Sequence, residues 1–235
     1  MSNARKRFWK AVDVASADGG YAVQLDGRPI KTPAKAPLIV PTRRFAALIA
    51  AEWDAQADKI DPETMPATRA ANAALDKVSI QFNEVADMLT AYGETDLLCY
   101  RAEAPAGLIE RQAAAWDPLL DWAANRFEIQ WNVTTGLMPT PQDPQITTVL
   151  RRHVGTFTQF QMTAFHDLVA MSGSLVIALA ATENVAPANV LWDASRIDEA
   201  WQIEQWGQDD EATALEARRR VAFLNALTYF GASTE

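Results

Sequence analysis

A short connector with two prolines divides this sequence into two parts of different character. It spans residues 61–66, and proline interrupts regular backbone hydrogen bonding wherever it stands inside a helix. Before it, residues 7–40 carry strand signals, and Thr42 is placed to cap a helix over residues 43–59. After it, apolar side chains recur mostly at helical spacing. The sequence therefore predicts an α+β protein with a domain boundary at the connector.

The part before the connector, residues 1–64, is predicted to form a small N-terminal β-rich domain with one covering helix. Residues 21–25 partly alternate between apolar and polar side chains, and Asp26-Gly27 follows them. This dipeptide tolerates positive φ at both turn positions and predicts a hairpin. Residues 38–40 predict another short strand. The covering helix would direct one apolar face to the sheet, formed by Phe45, Leu48, Ile49 and Trp53.

The part after the connector, residues 65–235, is predicted to form a larger C-terminal α-helical bundle domain. Residues 127–133 alternate at period two and predict a short strand or an extended segment, and residues 138–144 predict a loop. The last helix would pack through Leu215, Phe223, Leu224 and Leu227. The main helices are expected at 108–127 with Pro118 kinking or dividing it, 145–160, 163–182, from Asp193–Ser195 to Gly207, and 210–229.

Composition excludes several classes of function. The formal net charge is −9, from 21 basic and 30 acidic residues, whereas nucleic-acid binders present a basic surface to phosphates. The most apolar run, residues 168–181, is too short and too interrupted to span a bilayer, so no membrane insertion is expected. The single cysteine, Cys99, excludes an internal disulfide or a cysteine-based zinc cluster.

No constellation of reactive residues stands out, and no catalytic residue, cofactor or metal is predicted. The two histidines are His153 and His166, and an ordinary structural role is favoured for both. Asp167 follows His166 directly, so on a helix it should point about 100° away and orient the imidazole poorly. The alternative is a small cytoplasmic hydrolase or transferase with an unrecognised site around His166, Asp167 and Ser174.

Residues 201–206 form the most suggestive surface segment. Two tryptophans flank Glu204 within these six consecutive helical positions, which mix apolar and acidic side chains. Large aromatic side chains near a charge are typical interface anchors. The alternative is that both tryptophans are buried in the core and Glu204 faces solvent. The acidic run 209–211 favours a solvated first turn of a helix, with partner or metal binding left open.

Four segments closely resemble a family of assembly chaperones that bind the alpha subunit of the ATP synthase catalytic sector, the ATP-twelve type. They occur in family order and together span nearly the whole chain. They are YAVQLDGRPIKTPAKAPLIVPT at 21–42, EWDAQADKIDPETMPATRAANAALD at 52–76, ETDLLCYRAEAPAGLIERQAAAWDPLLDW at 94–122 and IEQWGQDDEATALEARRR at 203–220.

The resemblance implies a β-rich domain followed by a helical bundle. It also implies a chaperone that holds the unassembled alpha subunit, through a hydrophobic and acidic surface, until a beta subunit replaces it. Family members need an acidic residue in the last block, and three glutamates are candidates. The expected partner-binding residues are Trp201, Glu204, Trp206, Glu211 and Glu216, with Trp116 and Trp122 as further anchors where exposed.

The resemblance also sets expectations for location and partners. No mitochondrial presequence is recognised, which fits a bacterial cytoplasmic member; a processed eukaryotic form would lie in the mitochondrial matrix. The chaperone is expected to be monomeric and to need neither ATP nor metal. Its expected partner is the alpha subunit, with no nucleic acid.

Overall fold

A computed structural model describes residues 6–136 and 140–234 of the chain. The chain forms two compact units. The first consists of residues up to Phe82, Thr158–Ala164 and residues from Thr228 onward. The second consists of Asn83–Phe157 and Phe165–Leu227. The predicted domain boundary at residues 64–65 was placed where the secondary-structure pattern changes. The two units are defined by which residues pack together, so they do not test that boundary and it stays a prediction. Residues 1–5 of the predicted first domain, and Met138 and Pro139 of the predicted loop, lie outside the described residues.

The first unit contains a four-stranded antiparallel sheet. Its strands are β1 (Val12–Ala17), β2 (Gly20–Leu25), β3 (Arg28–Pro29) and β4 (Ile39–Val40). Strand β2 pairs with β1 on one side, Val14 opposite Val23, and with both β3 and β4 on the other. The predicted α+β class is confirmed, because this sheet precedes a long series of helices.

Two positions in this sheet require glycine, one in a turn and one where two strands approach closely. The predicted hairpin at Asp26-Gly27 is confirmed: both residues have positive φ, 49° and 77°, and Leu25 pairs with Arg28. Gly20 has φ 153°, and a Cβ there would lie only 2.3 Å from the carbonyl oxygen of Val40. A side chain at position 20 would therefore push β4 away from β2.

Helix α1 (Arg43–Asp54) covers the sheet. The predicted cap is confirmed, since the backbone N–H of Phe45 donates to Thr42 Oγ1 at 3.0 Å. The helix ends at Asp54, however, so the predicted extension to residue 59 is wrong. Within this unit Phe45 stacks on Tyr229 and meets Phe160 edge-on, with ring centroids 6.0 and 5.9 Å apart.

Glu52 joins α1 to the next helix, α2 (Pro66–Ala73). Its Oε2 accepts hydrogen bonds from the N–H and hydroxyl of Thr68 at 2.8 and 2.7 Å, and its Oε1 accepts from the N–H of Ala67 at 2.5 Å. These donors belong to the first turn of α2, whose N–H groups have no partner within the helix. The carboxylate thus caps α2 from another helix, while burial raises the pKa of Glu52.

Replacing Glu52 by alanine is expected to lower the free energy of unfolding by about 1–3 kcal/mol, because three donors lose their acceptor. Glu63→Ala provides a matched control, since Glu63 makes a solvent-exposed pair with Arg69 and such pairs contribute little. Urea unfolding at pH 7 measures both variants. Equal, small effects would show that Glu52 does not cap α2.

The remaining helices are mostly those that the sequence predicted, with shifted ends. A two-stranded parallel pairing joins β5 (Tyr100–Arg101) to β6 (Thr134–Thr135). The helices are α3 (Phe82–Thr90), α4 (Ala106–Phe127), α5 (Pro144–Val154), α6 (Gln159–Ser172), α7 (Leu175–Thr182), α8 (Ala188–Ala194), α9 (Ile197–Trp206) and α10 (Asp210–Ala232).

Several predictions about these elements are wrong in whole or in part. The single helix expected at 163–182 is divided into α6 and α7, because Gly173 adopts φ 73° and Ser174 caps α7 by accepting from the N–H of Ile177. Of the two alternatives predicted for residues 127–133, the short strand is wrong, and the extended segment stays a prediction. The residues expected to open a helix at Asp193–Ser195 instead end α8, whereas Gly207 does end α9 as predicted. Pro118 lies inside one continuous helix, so it does not divide α4.

Helix α7 forms the centre of the second unit. Its residues from Leu175 to Ala181 are at most 1% exposed. The fully buried Asp96 fixes its first turn, accepting from the hydroxyl of Ser174 at 2.7 Å and the N–H of Val176 at 3.1 Å. Burial raises the pKa of Asp96. Cys99 is also buried, and burial raises the pKa of its thiol to about 12.

Candidate functional site

Three of the five predicted partner-binding residues lie on α9, which packs against α4 in the second unit. The pairing of these two helices places Glu204 beside Arg111. Guanidinium Nη1 donates to Glu204 Oε1 at 2.7 Å, and Nη2 donates to Oε2 at 3.0 Å. Two parallel charge-assisted bonds of this kind fix orientation as well as distance. Arg111 lowers the pKa of Glu204, and Glu204 raises the pKa of Arg111.

Trp201 belongs to the same cluster as Glu204. The guanidinium of Arg111 lies over the indole of Trp201, 5.0 Å from its centroid, a distance suited to cation–π attraction. The far edge of the indole reaches α4 at Gly107, where an added Cβ would be 3.1 Å from Trp201 Cη2. Trp201 is therefore half-buried between the helices, with only part of its ring available to a partner.

Trp206 has a different environment. It is the last residue of α9 and is 80% exposed. At about 100° per residue it points roughly opposite to Glu204 around the helix. Gly207, with φ 92°, then ends the helix. An indole this exposed has little packing within its own chain, which is the property of an interface anchor before its partner arrives.

The first half of α10 is also open to solvent. The predicted solvated first turn is confirmed, since Asp210 and Glu211 lie exposed in the first turn of α10. Asp209 precedes the helix and caps it, accepting from the N–H of Ala212 at 2.7 Å. Glu211 is exposed and Glu216 is half-exposed. Leu215, predicted to pack in the core, is 43% exposed, and that prediction is wrong. Val221 is 57% exposed on the same half of the helix.

The structure thus groups Trp201 and Glu204 through Arg111 and places Trp206, Glu211 and Glu216 on open helix surface. Trp116 is fully buried and donates from Nε1 to the carbonyl of Ala194 at 2.7 Å. Trp116 therefore belongs to the core and is not available as an interface anchor.

Sequence reasoning missed two residues of α4 that shape this site. Besides Arg111, Gln112 is 2% exposed and donates from Nε2 to Asp198 Oδ1 at 2.6 Å, while its Oε1 accepts from the N–H of Ala102. Some 86 and 93 positions separate Gln112 and Arg111 from their partners on α9. A pairing over such separations leaves no periodic signal in a single sequence.

The residues of the alternative enzyme reading are not assembled as a catalytic group. Ser174 Oγ is buried and donates to Asp96, its helix-capping partner. His166 Nδ1 lies 3.0 Å from Asp167 Oδ1, so the expectation that Asp167 would orient the imidazole poorly is wrong. The side-chain torsions bring the two groups together although their backbone positions point in different directions. No three or more His, Cys, Asp or Glu side chains within 6–136 and 140–234 are grouped to hold a metal ion.

His153 has a structural environment. Its ring centroid lies 5.1 Å from that of Phe127 and 5.5 Å from that of Phe157, and Nε2 is 3.7 Å from Glu183 Oε1. Burial lowers the pKa of His153 despite the opposing effect of Glu183. The pKa of His166 is raised by its hydrogen bond to Asp167, so the two histidines contribute pH dependences of opposite sign.

The lowered pKa of His153 predicts a loss of stability in acid. The unfolded chain binds the proton more tightly, so this contribution is fully present above about pH 6.5 and is lost as the pH falls toward the folded-state pKa. Urea unfolding at pH 7.5 and 5.5 should show a smaller loss for His153→Phe than for the unsubstituted protein. We expect a difference below about 1 kcal/mol, because the ring is partly exposed. Identical losses would contradict the assignment.

Comparison with known proteins agrees with this architecture. The family model described as ATP12 chaperone protein matches residues 6–124. Atp12 from Paracoccus denitrificans is 45% identical, with a TM-score of 0.94 over 99% of this chain and 100% of that one, and a mutant form of it matches equally well over 97% of each chain. The Atu1473 protein of Agrobacterium tumefaciens is 36% identical, with a TM-score of 0.92 over 97% of this chain and 85% of that one.

A eukaryotic relative matches as well. The mitochondrial protein atp12 of Schizosaccharomyces pombe is 24% identical over 219 residues, which are 88% of this chain and 75% of that protein. The chain therefore belongs to the ATP12 chaperone family, and the expectation from the four sequence segments is confirmed. Among the residues that the structure describes, no helix combines the length and apolar character needed to cross a membrane.

Proposed function

We propose that this protein is a chaperone for assembly of the ATP synthase catalytic sector, which binds the unassembled alpha subunit until a beta subunit replaces it. Membership of the ATP12 chaperone family carries the proposal. An isolated alpha subunit exposes the apolar surface that beta covers in the finished complex, and such surface aggregates. A partner that covers it reversibly keeps the subunit available for assembly.

The open surface of α9 and α10 supports the proposal. Trp206 offers a large apolar contact, and Leu215 and Val221 are further exposed apolar side chains on α10. Glu211 and Glu216 place carboxylates on the same half of that helix. Acidic side chains outnumber basic ones in the second unit, so it favours a client surface that combines apolar and basic groups.

We further propose that the protein acts by binding alone, as a monomer, without catalysis, nucleotide or metal. Relatives named as chaperones support a role in binding. The bacterial relatives support a place in the bacterial cytoplasm, with the mitochondrial matrix as the corresponding place for a processed eukaryotic form.

Charge reversal of the three candidate glutamates tests the acidic surface. Glu204→Lys, Glu211→Lys and Glu216→Lys are each compared with the unsubstituted protein for capture of purified alpha subunit, with folding checked by circular dichroism. Glu84→Lys is the matched control, because Glu84 is an exposed acid on α3. We expect at least one of the three to lose capture while folded. Normal capture by all three would overturn a role for any acidic residue of this block, and normal capture by both Glu211→Lys and Glu216→Lys would overturn the acidic surface on α10.

A further inference from the structure

We propose that Glu204 promotes alpha-subunit binding from within the chaperone, as a positioning residue that holds α9 against α4 through Arg111, while Trp206 on the other side of α9 meets the client. This inference rests on the proposed function. It assigns Arg111 a role in client binding without contact to the client, and it separates Glu204 from the client-facing glutamates of α10.

The first argument is that the carboxylate of Glu204 is already engaged. Both of its oxygens accept from the two terminal nitrogens of Arg111, at 2.7 and 3.0 Å. A basic group of a client would have to share this carboxylate with the guanidinium of Arg111, which already occupies one lone pair of each oxygen. Arg111 is held in turn by the face of Trp201, which keeps its planar group oriented for the pair.

The second argument is that the neighbours of Glu204 on its helix face also contact α4. Asp198 accepts from Gln112, and Trp201 packs close to Gly107. At about 100° per residue, positions 198, 201 and 204 lie within an arc of about 120° on one face of α9. Trp206 lies outside this arc, on the open side. The face that carries Glu204 is thus a packing face.

The third argument is that little else orients the end of α9. Gly207 follows at once, and residues 205–212 are all exposed. The ion pair of Glu204 with Arg111 lies two residues before Trp206 and joins this end of α9 to α4. If the pair is lost, the end of the helix can leave α4 and carry Trp206 with it. Apparent affinity then falls with the fraction of molecules that keep the binding geometry.

A double-mutant cycle separates positioning from direct contact. Arg111→Ala, Glu204→Ala and the double variant are titrated with purified alpha subunit. We expect each single variant to weaken affinity about fivefold, and the double variant to weaken it no further, because both changes remove the same contact. Additive losses, about 25-fold in the double variant, would overturn the inference, because Glu204 would then act independently of Arg111.

A second pair on α4 is the matched control. Arg126 donates to Glu183 at 2.8 Å and is likewise exposed, but it lies at the other end of α4 from Arg111. Arg126→Ala and Glu183→Ala should leave alpha affinity unchanged. If they weaken it as much as the Arg111 and Glu204 variants do, loss of any such pair is sufficient and the specific positioning role is overturned.

Amide hydrogen exchange on the free chaperone tests the positioning role without the client. Exchange over residues 203–206 should be faster by the same factor in Arg111→Ala, Glu204→Ala and the double variant, with the rest of the second unit unchanged. Unchanged exchange would overturn the positioning role even if alpha is captured. Faster exchange together with no capture by the unsubstituted protein would overturn the proposed function and leave the contact itself established.

Discussion

Replacing Asp96 by alanine is expected to lower the free energy of unfolding by about 4 kcal/mol. Asp96 is fully buried and accepts from the hydroxyl of Ser174 and from the N–H groups of Val176 and Leu98. Each of these donors is left in the core without its acceptor, and each such loss costs about 1–3 kcal/mol. The effect is large because the same carboxylate accepts hydrogen bonds at the start of the central helix α7 and also caps the short helical turn Leu97–Cys99.

Urea unfolding followed by circular dichroism measures this effect at pH 7. Asp193→Ala is the control, because Asp193 is exposed on α8, and it should change stability by less than about 0.5 kcal/mol. Asp96→Asn keeps one acceptor oxygen and should fall between the two. A loss below about 1 kcal/mol for Asp96→Ala would show that the buried carboxylate does not organise α7.

Replacing Trp206 by alanine is expected to weaken alpha-subunit binding by about 2 kcal/mol, or roughly 30-fold, with no loss of stability. The indole is 80% exposed, so its removal opens no cavity in the core. Within an interface, however, a tryptophan contributes more buried apolar area than most side chains. Affinity is measured by titration with purified alpha subunit, and stability by urea unfolding.

Phe8→Ala is the control for Trp206→Ala. Phe8 is an aromatic residue of the first unit, 73% exposed, and its loss should leave alpha affinity unchanged. Unaltered affinity of Trp206→Ala would move the client surface away from α9 and α10. Equal losses in both variants would show that general surface hydrophobicity, and no defined site, determines capture.

The sequence predicts best where one short stretch contains both a signal and its cause. Thr42 and Asp143 each cap a helix that begins at the next residue, and Asp26-Gly27 forms the turn between β2 and β3. Such bonds join residues a few positions apart, so the local pattern is enough. Family membership could also be predicted from short stretches, because four segments of the sequence closely resemble the family pattern.

Prediction from the sequence fails where tertiary packing determines the end of a helix or the burial of a side chain. Residues 172–174 interrupt the apolar run 163–182, but serine and glycine can also lie inside a helix, so the interruption alone did not predict a break. In the structure Gly173 takes a positive φ, and Ser174 caps a new helix next to Asp96. Leu215 has an apolar side chain typical of a core, but it lies in the first half of α10, where most residues are exposed to solvent.

The candidate site shows the same limit. The sequence indicated the block that contains Trp201, Glu204 and Trp206, but it could not tell which face each residue occupies. Hydrogen bonds from Arg111 to Glu204 and from Gln112 to Asp198 show that this face of α9 packs against α4. Only the packing of two distant helices separates the internal acid from the exposed indole.

The measurement that tests the central claim most directly is co-expression of the tagged protein with its cognate ATP synthase alpha subunit, in the presence and absence of beta. We predict that the tagged protein captures alpha when beta is absent and that supplying beta releases alpha from it. Failure to capture alpha, with alpha shown to be soluble and folded, would contradict the proposed function. Capture that persists in a stable complex with beta would contradict the exchange step and indicate a permanent subunit.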